Sequence, residues 1–471
     1  MQTGNQPGGI MEAEAKYKLS DLQGNVKSEG QAKANLDEKY LTITVEFGEP
    51  MLFAYTDITG ISDQEYQVDL FLTSREKLNL SSLGYQYEDF LTELYRLRNE
   101  LLLKYLLMEE SLLKGGFEAQ FKSLDPQEQL NQSGRCEVRL YETALVVLPQ
   151  KSEPIRVPYC YLSQTSKADY KLVLTNEFGE KLEFSMLGEK FDALTKGLSD
   201  AFNKLMLRSQ QTIKEINPET DPVTVNKLAV LMKDGRAAKR KEIEALSANL
   251  WKRLTKRTEE AGINQEYAFL ESKALKEQMH IGVKRGLMGD LTGSYVWLLV
   301  PLLNASGKLQ NAVALEAFST NPSDGQEAET EPDETDAENE ANEKSADGTE
   351  PATGGKATYF FRILGGSDYL KAQADPAFEL ENFMKNMNRC MIDINFRREV
   401  IYLPDDKLDN PKYVQYRFAV AKMPSLRMLR NQFIGRVMHS SFDQWKSDVT
   451  SLLDFNAKSE NDSAKWKKGV E

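Results

Sequence analysis

Two stretches decide the fold of this sequence: residues 49–101, EPMLFAYTDITGISDQEYQVDLFLTSREKLNLSSLGYQYEDFLTELYRLRNEL, and residues 153–205, EPIRVPYCYLSQTSKADYKLVLTNEFGEKLEFSMLGEKFDALTKGLSDAFNKL. They align at a constant offset of 104 without a gap, and 15 of the 53 aligned pairs are identical. Most other apolar positions match in kind, as Leu80 matches Phe184. Because a duplication sets domain size and number before any other feature, the chain contains two copies of one structural unit.

Each copy is predicted to consist of short strands followed by one helix. Apolar and polar residues alternate over 67–73 and 170–175, which is typical of half-buried strands. The pairs Leu83-Gly84 and Leu187-Gly188 come next, and apolar residues then recur at spacings of three and four. That second period indicates an amphipathic helix. Between four and six strands are recognisable before each helix, so the unit is a small α+β domain.

In element order and in its duplication, the segment 37–208 resembles tandem pleckstrin-homology-like (PH-like) domains. No signature motif accompanies the resemblance, and the PH-like fold usually has seven strands, more than the sequence reveals. The resemblance implies two small curved sheets, each closed by a helix, and domains of this kind often offer a groove or a sheet edge to a peptide or protein. The alternative is some other small α+β unit.

The predicted fold class is α+β, and composition divides the chain into successive regions. The expected regions are a disordered tail over 1–36, PH-like repeats over 37–115 and 130–208, a helical region over 209–288, a C-terminal α+β domain over 289–456 and a tail over 457–471. Within the C-terminal domain, strands are predicted over 400–403 and 416–420, and a last helix over 433–452.

One acidic segment dominates the charge of the chain. Between residues 324 and 350 there are 12 acidic residues and one lysine, a net charge of −11. The whole chain carries −13, so the difference left for the rest is only −2. Such a segment buries too little apolar surface to offset its ordering entropy. We therefore expect 319–356 to be a disordered acidic insert between two neighbouring strands.

The cysteines and the apolar runs indicate a cytoplasmic protein. Cys136, Cys160 and Cys390 are widely spaced and odd in number, which favours a reducing compartment over a disulfide framework or a zinc set. The N-terminus lacks the basic start and apolar core of a signal peptide. The longest apolar run, over 295–303, is shorter than the ~20 residues that a membrane span needs.

The sequence contains no recognisable catalytic or cofactor-binding motif. Its two histidines, His280 and His439, are 159 positions apart and are interpreted as surface or packing residues. HExxH, CxxC and GxSxG motifs are absent. The prediction is a non-enzymatic protein without cofactor or metal. The alternative is an enzyme whose site lies in the C-terminal domain and uses carboxylates such as Asp393, Asp405 or Asp406.

Cations at three places are candidates for contact with an anion or a partner. Lys284 and Arg285 lie in the glycine-rich stretch 281–294, where backbone amides next to cations suit a phosphate or carboxylate. A connector whose glycines serve turns is the alternative. The basic stretches 236–257 and 412–446 supply the others: Lys239, Arg240, Arg253, Arg427 and Arg430. Solvated helix faces are the alternative there, and a third option is that the acidic insert folds back and masks these faces.

The favoured interpretation is a protein-binding or scaffold protein built on tandem PH-like domains, with a partner protein that the sequence does not identify. Nucleic acid and an anionic membrane surface are the other candidate partners. Tandem PH-like domains with an acidic tract are also similar to histone chaperones, which implies a chromatin-associated factor as the alternative function.

Overall fold

The structure is a computed structural model of the 471-residue chain. It describes residues 10–107, 110–287, 290–303, 309–320, 356–363, 376–408 and 410–458. The chain divides into two compact units. Met1–Asn203 and Asp405–Lys422 form the first, and Lys204–Pro404 and Met423–Glu471 form the second. Both units combine strands and helices, so the predicted α+β class is confirmed.

The first repeat is a seven-stranded antiparallel sheet followed by a helix. Its elements are β1 (Met11–Asp21), β2 (Val26–Leu36), β3 (Tyr40–Val45), β4 (Met51–Ala54), β5 (Ile58–Gln64), β6 (Gln67–Leu72), β7 (Glu76–Ser81) and α1 (Tyr87–Leu107).

The second repeat has the same elements in the same order. They are β8 (Leu112–Leu124), β9 (Leu130–Tyr141), β10 (Ala144–Pro149), β11 (Ile155–Pro158), β12 (Leu162–Ala168), β13 (Lys171–Asn176), β14 (Lys181–Ser185) and α2 (Phe191–Ile216). The short helices α9 (Asp405–Leu408) and α10 (Val414–Lys422) complete the first unit.

The two sheets share one topology. Their strand orders are β4-β3-β2-β1-β7-β6-β5 and β11-β10-β9-β8-β14-β13-β12. All the pairings are antiparallel, and a single helix follows the last strand of each sheet. Seven strands closed by a C-terminal helix fit a PH-like domain, which agrees with the arrangement that the resemblance implied.

The duplication extends to backbone conformation. The β5–β6 and β12–β13 hairpins turn on Glu65-Tyr66 and Asp169-Tyr170, and all four residues have positive φ, as tight two-residue turns require. At the predicted strand-to-helix junctions, Gly84 and Gly188 have φ of 56° and 53°. A 3-10 turn and then the helix follow each of these glycines. The equivalence of Leu83-Gly84 and Leu187-Gly188 is therefore confirmed.

The prediction of a disordered tail over 1–36 is wrong for residues 11–36, which form β1 and β2. Four of the nine apolar residues in these strands are alanines, whose hydrophobic signal in a sequence is weak. Pairing nevertheless buries Ala13, Ala15 and Ala34 under the helix side of the sheet. The predicted repeat starts at 37 and 130 are also too late, since β1 and β8 precede them.

The outer face of the second sheet carries apolar residues at positions where the first sheet carries polar ones. Val146 and Leu148 of β10 form a buried cluster with Tyr141 and with Leu103 of α1. Their equivalents 104 positions earlier are Thr42 and Thr44. The helix of the first repeat thus covers the second sheet, while the first sheet presents a polar face, as terminal units of repeat arrays do.

The second unit contains a six-stranded antiparallel sheet. Along the chain, its helices lie before, between and after the strands. Its strands are β15 (Ala238–Lys239), β16 (His280–Leu287), β17 (Asp290–Leu303), β18 (Leu309–Thr320), β19 (Ala357–Arg362) and β20 (Phe433–Val437), and they lie side by side in sequence order. Its helices are α3 (Pro222–Leu231), α4 (Arg240–Leu246), α5 (Leu250–Glu260), α6 (Asn264–Lys273), α7 (Pro376–Asp393), α8 (Glu399–Tyr402), α11 (Pro424–Gln432) and α12 (Phe442–Lys458).

Three predicted elements of the C-terminal region are wrong. The segments 400–403 and 416–420 fall in helices α8 and α10, because short apolar runs do not distinguish a strand from a buried helix. The predicted helix 433–452 begins instead at Phe442, and Phe433 starts strand β20. The strands β18 and β19, which flank the acidic segment, pair directly. Residues 321–355 between them, and the predicted tail from 459 onward, lie outside the described residues.

We expect Leu94→Ala and Leu198→Ala each to lower the free energy of unfolding by roughly 2–5 kcal/mol. Leu94 is fully buried and Leu198 nearly so, both between helix and sheet. Leu207→Ala in α2 is the matched control, because that side chain is 63% exposed, and it should change stability by less than about 0.5 kcal/mol. Chemical denaturation checks all three, and equal losses would contradict the assignment of the cores.

The turns before β7 and β14 allow a second matched test. Arg75 has φ 63°, and Gly179 at the equivalent position has φ 87°. Because a side chain in this region costs roughly 1–2 kcal/mol, Gly179→Ala should destabilise by about that amount. Arg75→Ala should stay within about 0.5 kcal/mol, since arginine already bears the cost. Denaturation curves showing equal effects would contradict the left-handed geometry.

Candidate protein-binding site

The glycine-rich stretch 281–294 belongs to the β16–β17 hairpin, so its alternative interpretation as a connector is wrong. Gly282 is required for close packing, since a Cβ there would lie 2.6 Å from the carbonyl oxygen of Gly235. That carbonyl accepts a hydrogen bond of 2.7 Å from Trp297 Nε1. Lys284 is buried and forms an ion pair with Asp234. The side chain of Arg285 lies outside the described residues.

Most of the other predicted contact residues form bonds within their own unit. Arg240 donates to Glu244 at 2.8 Å and to Glu271 at 2.7 Å, and it lies over the ring of Trp251. Arg253 bonds to Asn217 and lies 3.5 Å from Glu219.

Arg430 donates to the carbonyl oxygens of Val400 and Leu403, at 2.6 and 2.7 Å, where α8 ends. Lys239 is half-buried in the two-residue strand β15, and Arg427 is exposed on α11. Arg240, Arg253 and Arg430 therefore stabilise local structure, and each of them contacts a different set of residues.

His439 is part of a buried hydrogen-bonded chain in the second unit. Its Nδ1 lies 3.3 Å from Glu266, and its Nε2 lies 2.8 Å from the Thr358 hydroxyl, which also accepts a 3.0 Å bond from Trp445 Nε1. Burial raises the pKa of Glu266, but the contact with His439, a backbone hydrogen bond and the charge of Lys356 together outweigh burial and lower the pKa. Because Thr358 and Trp445 have no exposed surface, this hydroxyl–imidazole–carboxylate series serves packing.

A cleft in the second unit carries few groups that remain available to a ligand. It holds about 440 Å³, counting the solvent at its mouth, between α2, the end of α3 and β16. Its Lys284 is paired with Asp234, and the hydroxyls of Ser209 and Thr212 donate to carbonyls of their own helix. Four of the polar residues that line the cleft, Lys284, Asp234, Ser209 and Thr212, therefore already have partners, and Arg208 lines it as well.

The carboxylates proposed for an enzyme fall in different units. Asp393 ends α7 in the second unit, whereas Asp405 and Asp406 begin α9 in the first. In the described part of the chain, no group of three or more His, Cys, Asp and Glu residues is placed to hold a metal ion. Within the same ranges, no helix is both long enough and apolar enough to cross a membrane.

The two repeats meet at a buried arginine of α1. Arg98 has no exposed surface, and its Nε and Nη2 donate to the carbonyl of Ile58 at 3.1 and 3.0 Å. Its Nη1 donates at 3.0 Å to Glu153, which precedes β11 of the second repeat. Burial lowers the pKa of the guanidinium, and Glu153 opposes that shift. Removing the carboxylate would leave a buried charge without its counter-ion, a cost of roughly 3–5 kcal/mol.

Further polar contacts hold α1 against the second repeat. Asn99 Nδ2 donates to the carbonyl of Ser152 at 2.8 Å, and Arg139 of β9 bonds to Glu100 at 2.6 and 3.0 Å. Glu110, beyond α1, pairs with Arg156 of β11 in a buried site. Burial raises the pKa of Glu110, but Arg156 and the hydrogen bonds at Thr143 together outweigh burial and lower the pKa below its usual value. The repeats therefore form one continuous unit.

The surface beside this junction contacts a helix from a distant part of the chain, and we call this surface the junction groove. It is formed by Thr56, Asp57 and Thr59 of the first repeat, Tyr105 of α1 and Glu153 of the second repeat. Helix α10 occupies it, although its bonded residues lie 269–363 positions away in sequence. The junction groove thus holds a distant helical segment of the same chain.

Both charge and ring contacts hold α10. Arg417 donates to the carbonyl of Thr56 and to Asp57, each at 3.3 Å. Lys422 donates to the carbonyl of Thr59 at 3.1 Å and to Glu153 at 2.6 Å. Between these two cations, the ring of Phe418 lies 5.8 Å from that of Tyr105.

The ion pairs and the burial of Phe418 contribute unequally to the free energy of α10 docking. Partly exposed ion pairs contribute about 0.2–1 kcal/mol each, whereas full burial of a phenylalanine side chain contributes roughly 1.5–3 kcal/mol. Phe418 is 4% exposed. Burial of Phe418 therefore contributes most of the free energy that keeps α10 in the groove. The ion pairs set the register of the helix.

The sequence did not reveal this site, because the comparison of the two repeats concerned the residues that they have in common. The junction residues are where the repeats differ: Arg98 corresponds to Phe202, and Val146 and Leu148 correspond to threonines. Comparison of the outward-facing positions of the two copies would have indicated an interface on the second sheet. Nothing in the sequence pairs either repeat with α10.

The pH dependence of stability should reveal the burial of His280. Its Nδ1 donates to the carbonyl of Gln278 at 2.9 Å, and burial lowers its pKa to about 4. An unfolded histidine has a pKa of about 6.5, so between pH 6.5 and 4 the unfolded state gains a proton that the folded state does not. The contribution of His280 to the free energy of unfolding is therefore complete above pH 6.5 and is lost as the pH falls.

Denaturation of the wild type and of His280→Gln at pH 7 and 4.5 measures this effect. The wild type should lose about 2–3 kcal/mol more than the variant over that range. Parallel losses in the two proteins would show that His280 is accessible to protons in the folded state.

Comparisons with known proteins place the chain in no family. No protein-family model matches it, and no curated protein matches its sequence. Among solved structures, it is similar to "Structure of the Spt16D Pob3N heterodimer", with 16% sequence identity. The match covers 36% of this chain and 85% of that one, with a TM-score of 0.15. A TM-score this low carries no argument about fold or function.

Proposed function

We propose that the chain is a protein-binding scaffold whose tandem PH-like repeats hold a helical segment of a partner protein at the junction groove. The observation that carries the proposal is the docking of α10. The docked segment is short and helical, and it lies far from the repeats in sequence. The groove therefore has the chemistry to hold a peptide.

The chemistry of the groove supports a polypeptide partner over a small molecule. The bonds that it offers α10 are two backbone carbonyls, two carboxylates and one aromatic ring, spread along the helix. A linear array of this kind matches helix-in-groove recognition, in which side chains on successive turns enter separate contacts. It offers acceptors to cations, so a basic segment is favoured over nucleic acid, whose phosphates would be repelled.

Cytoplasmic location and the absence of catalysis are further parts of the proposal. Cys136, Cys160 and Cys390 are unbridged and buried, which is compatible with a reducing compartment. Burial raises the pKa of the Cys136 thiol to about 12, so this thiol is protonated at neutral pH and is a poor nucleophile.

Two matched charge reversals test the proposal in the full-length protein. Asp57→Lys places a cation in the junction groove, whereas Glu49→Lys makes the same charge change at an exposed equivalent of Glu153 outside the groove. Because like charges across an interface cost several kcal/mol, Asp57→Lys should lower partner recovery by at least ~10-fold. Glu49→Lys should recover the same partners as the wild type.

Quantitative affinity capture from an extract of the source cells, in parallel for the three proteins, is the measurement. Thermal denaturation must show the same melting temperature for both variants, since both positions are partly or fully exposed. If the same proteins are captured in equal amounts by all three, the junction groove does not bind the partner and the proposal is wrong.

A further inference from the structure

We infer that α10 is a built-in competitor of the junction groove, and that the partner enters as a helix of the same chemistry in its place. The partner class is a helix with an arginine directly before an aromatic residue and a lysine four residues after that aromatic. This inference rests on the proposed function and adds to it the class of partner and the means of regulation.

The spacing of the contact residues in α10 defines the partner helix. Arg417 and Phe418 are adjacent, and Lys422 lies four residues beyond Phe418. In a helix, residues four apart lie on one face, and the preceding residue flanks that face. The three side chains therefore reach the first repeat, Tyr105 and the second repeat at once. Another helix with this pattern would satisfy the same acceptors.

The charged and polar groups of the groove do not need α10 as their hydrogen-bond partner. If α10 leaves, Glu153 keeps its bond to the buried Arg98. The side chain of Asp57 is half exposed even with α10 in place. Thr59 is also exposed, so water can replace the bonds to its carbonyl. No buried charge is stranded by the exchange, and the repeats remain joined while the groove is empty.

Covalent linkage gives α10 an advantage over a free helix. Segment Asp405–Lys422 is the part of the chain beyond Asn203 that belongs to the first unit. A tethered segment competes at an effective concentration of roughly millimolar. A partner helix of modest affinity is therefore excluded until its own contacts exceed those of α10 or α10 is released, so the groove is selective.

A labelled peptide of residues 410–424 tests the competition on the full-length protein. The opened variant carries Arg417→Glu, Phe418→Ala and Lys422→Glu, which remove the two ion pairs and the ring contact of the chain's own α10. Fluorescence anisotropy should give a Kd at least ~10-fold lower for the opened variant than for the wild type, because the tethered competitor is gone.

A charge exchange supplies the specificity control. A peptide with Arg417→Asp should bind the opened variant poorly and should regain affinity when the opened variant also carries Asp57→Lys. Hydrogen exchange on the wild type gives a second measurement, which does not depend on the folding of the opened variant. Saturating wild-type peptide should speed exchange of the α10 amides and leave those of α1 unchanged.

The outcomes separate this inference from the function on which it rests. Equal peptide affinity for the wild type and the opened variant, with unchanged α10 exchange, would overturn the competition. Absence of peptide binding to the opened variant would overturn the helix class. If either occurs while Asp57→Lys still loses the captured partner and Glu49→Lys retains it, the proposed function stands and only this inference falls.

Discussion

The arrangement of the first unit depends on the buried guanidinium of Arg98. A charge removed from water is tolerated only when a counter-ion and hydrogen bonds replace its hydration. Arg98 obtains the hydrogen bonds from the carbonyl of Ile58 in its own repeat and the counter-ion from Glu153 in the next one. Satisfying one side chain thus requires both repeats at once. The same Glu153 then accepts the lysine of α10, so the junction and the groove share one carboxylate.

The two repeats show how a duplicated fold acquires a specific interface. The features inside each copy are shared: the buried tyrosines Tyr55 and Tyr159 bond to equivalent carbonyls, and the turns adopt equivalent conformations. The outward faces differ. Val146 and Leu148 are covered by α1, while the equivalent threonines face outward. Polar residues on the first sheet suit a unit at the end of an array, and apolar residues on the second suit one with a neighbour.

The distribution of cations shows why a basic stretch is a poor guide to a binding surface. Arg240 and Arg430 lie in basic runs of the sequence, yet their bonds go to nearby carboxylates and helix-end carbonyls. Arg417 and Lys422 also lie in such a run, and they bond across a groove to another part of the chain. All four cations lie in a basic stretch of the sequence. What differs is the acceptor that the fold places opposite each cation.

The sequence by itself determined the duplication, the strand-to-helix order and the helix faces, because these follow from local periodicity and from comparison of the chain with itself. It underestimated the strands of residues 11–36, whose alanines carry little hydrophobic signal until they pair. It misassigned α10, whose alternating apolar residues become helical when packed on α1. Only the tertiary structure decided the site. The contacts of Arg98 with Glu153 and of α10 with the groove join residues 55 to 363 positions apart, and a contact over such distances leaves no local pattern in either partner.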